Sequence, residues 1–209
     1  MKTFLLITLT LCFGSLSAQT LDPETSLTIG RTVWSSVNVD DYQTFATRPD
    51  MFTQFFQWNR ATAWAATGRI TRWTSTPDES SSWTINPCPA GWRLPTRAEA
   101  RVLSESGNTW ANAGTRGNAV AGSFYGPNHA TCRLPDNMEG CIFLSAGGFR
   151  NESGTVAAQT GRNIYGRYWT NNEAVNTPTN GIVLSFSSTR ISITGFDKAR
   201  AFNIRCVQE

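Results

Sequence analysis

Residues 94–107 read L-P-T-R-A-E-A-R-V-L-S-E-S-G, the strongest local signal in the chain. Thr96 has a side chain that can cap the backbone amide of Glu99, and Glu99 can reach back to Thr96, the reciprocal arrangement that starts a helix. Ala98, Val102 and Leu103 form an apolar stripe at helical spacing, and Gly107 supplies the stop. The spacing predicts one helix over residues 96–106. On either side the pattern changes. Upstream, T-V-W-S-S-V-N-V at residues 32–39 alternates, with Val33, Ser35, Val37 and Val39 on one face opposite Trp34 and Ser36, which predicts a strand. Downstream, residues 141–144, 165–170, 181–187, 190–194 and 201–207 are short β-prone runs separated by turn residues, and the third and fourth read as a hairpin.

The segments between these elements are less regular. Residues 42–64 are dense in aromatics (Phe45, Phe52, Phe55, Phe56, Trp58) at a spacing that fits neither period, so they read as irregular or mixed. Residues 74–82 are rich in Ser, Thr, Pro and Asp and lie between Trp73 and Trp83, which predicts an exposed loop whose two tryptophans fold back onto the body. Glycine, asparagine and proline dominate residues 108–140, which read as a long central loop region. The order of strand, helix, looped region and antiparallel strands gives an α+β class with mixed and antiparallel sheets and with the termini drawn together.

Composition narrows the function classes. The chain has 209 residues, 40% of them apolar, 16% charged and 11% aromatic, which excludes a coiled coil and argues for one ordered domain. Its net charge of +3 comes without a basic run or stripe, so nucleic acid is not an expected partner. His129 is the only histidine, which removes multi-histidine metal sites and leaves one candidate imidazole base. The composition therefore favours a binding or structural domain over an enzyme.

The first residues read as an address. Lys2 precedes an apolar run over residues 4–16, and Leu16-Ser17-Ala18 offers small residues before Gln19, so residues 1–18 are expected to be a signal peptide and residues 19–209 the single domain. The run is too short to span a bilayer comfortably, and no second long apolar segment follows, so an integral membrane protein is not expected. Leu11 stands where a lipidated Cys12 would need a small residue. Export leaves Cys88, Cys132, Cys141 and Cys206, an even number that reads as two disulfides in an oxidising compartment. Four cysteines allow three pairings, and spacing favours Cys132 with Cys141, leaving Cys88 with Cys206. A four-thiolate zinc site is the competing reading, and it lacks any C-x-x-C pair.

Several strings carry a resemblance. N-P-C-P-A-G-W-R-L-P-T-R-A-E at residues 86–99, A-G-G-F-R-N-x-x-G at 146–154, G-R-Y-W-T at 166–170 and A-F-N-I-R-C-V at 201–207 resemble the Fibrobacter succinogenes major paralogous domain family. V-W-S-S-V-N-V at residues 33–39 and F-F-Q-W-N-R at 55–60 resemble its amino-terminal part. The family is common in secreted and surface proteins of Bacteroidetes. The resemblance implies a C-type-lectin-like fold, with a helix after the P-T motif, a mixed central loop region, and a terminal strand whose cysteine pairs with the one in C-P-A-G-W. That fold hosts sugar binding, protein binding and, in one branch, formylglycine formation, so it does not choose a function. The enzymatic branch needs reactive cysteines, whereas all four here are assigned to bridges.

Two segments offer oxygen ligands of the kind that calcium-dependent sugar binding uses. Trp169, Asn171, Asn172 and Glu173 lie in W-T-N-N-E, which resembles the tryptophan-asparagine-acid strand motif of true lectins, and Asp136, Asn137 and Glu139 lie within the small predicted disulfide loop. The proline-containing triplet of true lectins is absent, and solvated turns are the more ordinary role for such clusters. Trp73, Trp83 and Trp110 flank loops and are candidates to stack on sugar rings or anchor a protein, whereas Trp92 and Trp169 read as packing residues. Arg190, Lys198, Arg200 and Arg205 could accept an acidic glycan or a carboxylate, although with Asp197 among them a solvated, partly paired surface is the simpler account. The reading is an exported, non-catalytic binding module at the cell surface, in the periplasm or outside the cell, for a glycan or protein, with no cofactor expected and calcium as a candidate ion only. Its alternative is an accessory subunit of a surface assembly such as a fimbrial tip or outer-membrane complex.

Overall fold

Thr96 starts the helix as its neighbours predict. In the computed structural model, which describes residues 26–154 and 161–209, its hydroxyl accepts from the Glu99 N–H at 3.2 Å. The Glu99 carboxylate accepts in turn from the Thr96 N–H at 2.7 Å, so helix α1 (Arg97–Glu105) carries a complete capping box. Ser106 is the C-cap, and Gly107 follows at φ +92°, a backbone conformation that only glycine adopts without strain. The buried stripe differs from the expected one. Ala100 and Leu103 are buried, while Ala98 and Val102 are exposed. The nine-residue helix seats on the strands through this single i, i+3 pair, and Val102 lies instead beside the turn at Gly30. The expected signal peptide at residues 1–18 lies outside the described residues.

Among the described residues fourteen strands occupy much of the rest. Before the helix come β1 (Ser26–Ile29), β2 (Thr32–Asp41), β3 (Thr44–Phe45), β4 (Phe55–Gln57), β5 (Ala63–Trp64) and β6 (Trp92–Arg93). After it come β7 (Asn108–Ala111), β8 (Gly122–Tyr125), β9 (Ile142–Ser145), β10 (Gly166–Ala174), β11 (Thr177–Phe186), β12 (Ile191–Asp197), β13 (Ala201–Phe202) and β14 (Arg205–Gln208). They form four antiparallel sheets, ordered β1-β2-β14-β6 with β3 on β2, β10-β11-β12, β13-β4-β5, and β7-β8-β9. Pairing of β14 with β2 places the carboxyl-terminal strand beside the first long strand, as the expected approach of the ends requires. Among the described residues the fold is α+β, mostly sheet, with one short helix.

Among the described residues three larger clusters and a small fourth one, Phe55 with Ala201, make the core. Trp58, Trp92, Trp169, Val183 and Phe202 anchor the first, around the disulfide Cys88–Cys206. Trp34, Leu103, Tyr125, Leu144, Tyr168 and Phe186 anchor the second, and Phe124, Phe143, Leu134 and the disulfide Cys132–Cys141 the third. Strand β2 lies between the first two, giving Val39 to one and Trp34 to the other, so both of its faces are covered. Both disulfides pair as the spacing favoured. The central region is less loop-like than expected, because β7 and β8 pair within residues 108–140. Their runs N-T-W-A and G-S-F-Y are too short to show a period, and Gly122 is there because the Phe143 ring and the Leu144 carbonyl occupy the space of a side chain. Likewise residues 201–207 form two strands, β13 and β14, each pairing in a different sheet.

Candidate functional site

The W-T-N-N-E segment holds elements together. The ladder from β10 to β11 skips from Trp169 to Glu173, and this bulge redirects the side chains between them. Asn171 accepts from the backbone N–H of Trp83 at 3.0 Å, and Asn172 accepts from the N–H of Arg97 at 2.6 Å, in the first turn of α1. Glu173 accepts from Lys198 Nζ at 2.6 Å, and that ammonium also donates to the Ser80 carbonyl and lies 5.1 Å from the centre of the Trp58 ring. Trp169 is fully buried and donates Nε1–H to the Phe56 carbonyl at 2.8 Å. Asn171, Asn172 and Glu173 each thereby give a side-chain oxygen to one of the protein's own donors.

The tryptophans expected at loops divide. Trp83, one of the candidates to face a ligand, folds back onto the body instead: it is only 9% exposed and packs against Trp58 at 5.4 Å. Trp73 is half-buried against Trp64 at 5.3 Å, and its Nε1–H donates to the Glu152 carbonyl. Trp110 is half-buried beside Phe186, with Nε1–H on Asn112. The expectation of a solvated basic surface near the carboxyl end is also corrected. Lys198 and Arg205 are each 1% exposed, whereas Arg200 pairs with Glu152 at 2.7 Å and Arg190 is exposed. Burial holds the Arg205 guanidinium down to about 10 against the favourable field and hydrogen bond of Tyr168, and it remains charged at neutral pH.

Asp136, Asn137 and Glu139 are exposed on the Cys132–Cys141 loop. Asn137 exchanges both backbone hydrogen bonds with Arg133 and donates from Nδ2 to the Thr131 carbonyl. Among the described residues, no three His, Cys, Asp or Glu side chains are grouped to hold a metal ion. His129 shares a 2.7 Å hydrogen bond between Nδ1 and the Thr109 hydroxyl.

The structure brings a different set together. A groove of about 210 Å³ runs over the sheet β10-β11-β12, lined by Tyr165, Arg167, Ser185, Phe186, Ser187, Arg190, Ser192, Thr194 and Phe196. Register explains it. Arg167 stands opposite Ser185, and Ser185 opposite Ser192, so the three form one row across the sheet. Strand alternation then puts Ser187 and Thr194 on the same face, while Leu184, Ile191 and Ile193 point into or against the second core cluster. Only Arg190 was singled out from sequence. The signal was present in I-S-I-T at residues 191–194, whose apolar and hydroxyl residues alternate as a half-buried strand demands.

Within that groove Arg167 is unusual. Its guanidinium lies 3.8 Å from the centre of the Phe149 ring, 4.4 Å from Phe196 and 5.4 Å from Tyr165. Nε and Nη1 are buried without a hydrogen-bond partner. Burial, helped by the nearby Arg200 charge, lowers its pKa to about 10. Neither Arg167 nor Arg190 has an ion-pair partner among the described residues.

A second, larger groove of about 570 Å³ lies between β1 and the small disulfide loop, where Leu27, Pro49, Leu134, Met138 and Ile142 face it. No helix among the described residues is long and apolar enough to cross a membrane. Comparison with family models, curated proteins and solved structures returned no match.

Proposed function

We propose that this chain is an exported, non-catalytic binding module of the Fibrobacter succinogenes major paralogous domain family, with a C-type-lectin-like fold and a carbohydrate ligand. The observation that carries the ligand class is the row of hydroxyls on the sheet β10-β11-β12, bounded by the Tyr165 and Phe196 rings. Hydroxyls donate and accept at once, as sugar hydroxyls do, and aromatic faces cover the apolar side of a pyranose. Two strands and their register fix these groups before any ligand arrives, which reduces the ordering cost of binding. Cys88, Cys132, Cys141 and Cys206 all lie in disulfides, which favours contact over thiol chemistry.

A glycan array probed with the processed protein, with and without calcium, tests the reading. A reproducible oligosaccharide ligand that is lost in Tyr165→Ala supports it, and an array without ligands under both conditions overturns it. The second reading, an accessory subunit of a surface assembly, is favoured by the larger groove beside Leu27 and Met138, whose size and apolar side chains suit a protein partner. A stoichiometric partner cross-linked there in native envelope would favour it.

A further inference from the structure

We infer that the sugar bound on the β10-β11-β12 sheet is an acidic one, whose carboxylate is received by Arg167 and Arg190. The inference rests on the carbohydrate reading and sharpens it.

Arg167 is held where a charge is costly. Its side chain stands at the β10 end of the row, opposite Ser185, with the Phe149, Phe196 and Tyr165 rings around it. Ring faces stabilise a guanidinium through their quadrupoles, yet they accept none of its directed hydrogen bonds. Nε and Nη1 are buried and have no hydrogen-bond partner among the described residues, and Arg167 lines the groove. Arg200, itself paired with Glu152, lies 5.7 Å from the same Phe196 ring, and Arg190 lines the groove without an ion-pair partner among the described residues.

A structural arginine in a core behaves differently, and this chain contains two examples. Arg205 spends its three nitrogens on Asn38 and on the Ser35 and Phe143 carbonyls, and Arg150 spends its own on the carbonyls of Ala65, Thr67, Gly68 and Gly154. Arg167 alone of the three is desolvated and unspent. A guanidinium in weakly screening surroundings attracts an anion more strongly than one in water, and it binds carboxylates with directional hydrogen bonds. Arg190 at the mouth adds attraction and steering. The hydroxyls of Ser185, Ser187, Ser192 and Thr194 then stand where the hydroxyls of the same sugar would lie.

The test is an array of uronic-acid and sialic-acid oligosaccharides, each beside its methyl-esterified neutral counterpart, with sulfated oligosaccharides as a third arm. The expected result is binding of acidic members at least tenfold tighter than their esters, weakening as sodium chloride rises. Arg190→Gln, at an exposed position, should weaken the acidic members severalfold more than their esters. Arg167→Gln, checked for folding by near-ultraviolet circular dichroism, should abolish the preference. Equal binding of acids and esters, or an acid preference that survives both substitutions, overturns the acidic assignment and leaves the carbohydrate reading standing. Binding confined to the sulfated arm overturns the carboxylate assignment, and an array on which nothing binds overturns both readings.

Discussion

Arg205 donates its Nε–H to Asn38 Oδ1 at 2.9 Å, and through that bond a fully buried charge joins the carboxyl-terminal strand to β2. Nη1 donates to the Ser35 carbonyl and Nη2 to that of Phe143 in β9, while Asn38 Nδ2 reaches Ser145 and the Tyr168 hydroxyl. Three of the four sheets are thereby tied at one point. The arrangement satisfies a charge in the core with carbonyl and amide dipoles rather than a carboxylate.

Replacing Arg205 should therefore be among the most damaging single changes. Arg205→Met leaves Asn38 Oδ1 and two buried carbonyls without donors, and each orphaned group costs about 1–3 kcal/mol. Arg205→Lys should be nearly as harmful, because one ammonium cannot span the three directions. Urea unfolding of both variants checks this, and a loss smaller than about 1 kcal/mol in either would contradict it.

The Glu173–Lys198 pair makes a second prediction. Lys198 is 0% exposed in its side chain and Glu173 22%, so Glu173→Gln strands an ammonium in the core. Breaking a buried pair from one side typically costs about 3–5 kcal/mol, and the partial exposure of Glu173 places this case at or below the lower end. The double variant Glu173→Gln/Lys198→Met should recover much of the loss in thermal unfolding, because it removes the stranded charge as well.

The two disulfides should differ in weight. Cys88–Cys206 spans 118 residues and Cys132–Cys141 spans 9. Restricting the unfolded chain is worth more for a longer loop, so the double serine variant at Cys88 and Cys206 should lose about 2–5 kcal/mol. Removal of the short bridge should lose less. Calorimetry of the two variants gives the order directly.

Acid should loosen the start of the helix. Burial tends to raise the Glu99 pKa, but the Arg93 guanidinium and the Thr96 amide and hydroxyl outweigh it and hold the carboxyl at about 2, below its usual 4.5. A carboxyl depressed in the folded state contributes stability that is present above the unfolded value and is lost as pH falls through the folded one. The stability difference between the parent chain and Glu99→Gln should therefore be constant above about pH 5 and shrink between 4.5 and 2. A difference that stays flat over that window would contradict the assignment.

The helix, its capping residues, strand β2, the hairpin of β11 and β12, and both disulfides were legible because each is written in local pattern or spacing. The groove was not. Arg167 looks ordinary in G-R-Y-W-T, and its isolation appears only when Phe149, Phe196 and Tyr165 are brought around it from three separate segments. The asparagines of W-T-N-N-E misled for the converse reason. Their oxygens suit a cation in sequence, whereas a bulge in β10 gives them to the Trp83 and Arg97 amides. Lys198 and Arg205 resembled surface charges because nothing local shows that carbonyls from distant strands will converge on them.

The most direct measurement is a nitrogen-15 amide titration of the processed protein with the best oligosaccharide from the array. The account predicts that shift changes concentrate at Tyr165, Arg167, Ser185, Ser187, Ser192 and Thr194, on one face of one sheet. Changes centred instead on Leu27, Leu134, Met138 and Ile142, or on the Trp73 loop, would contradict it.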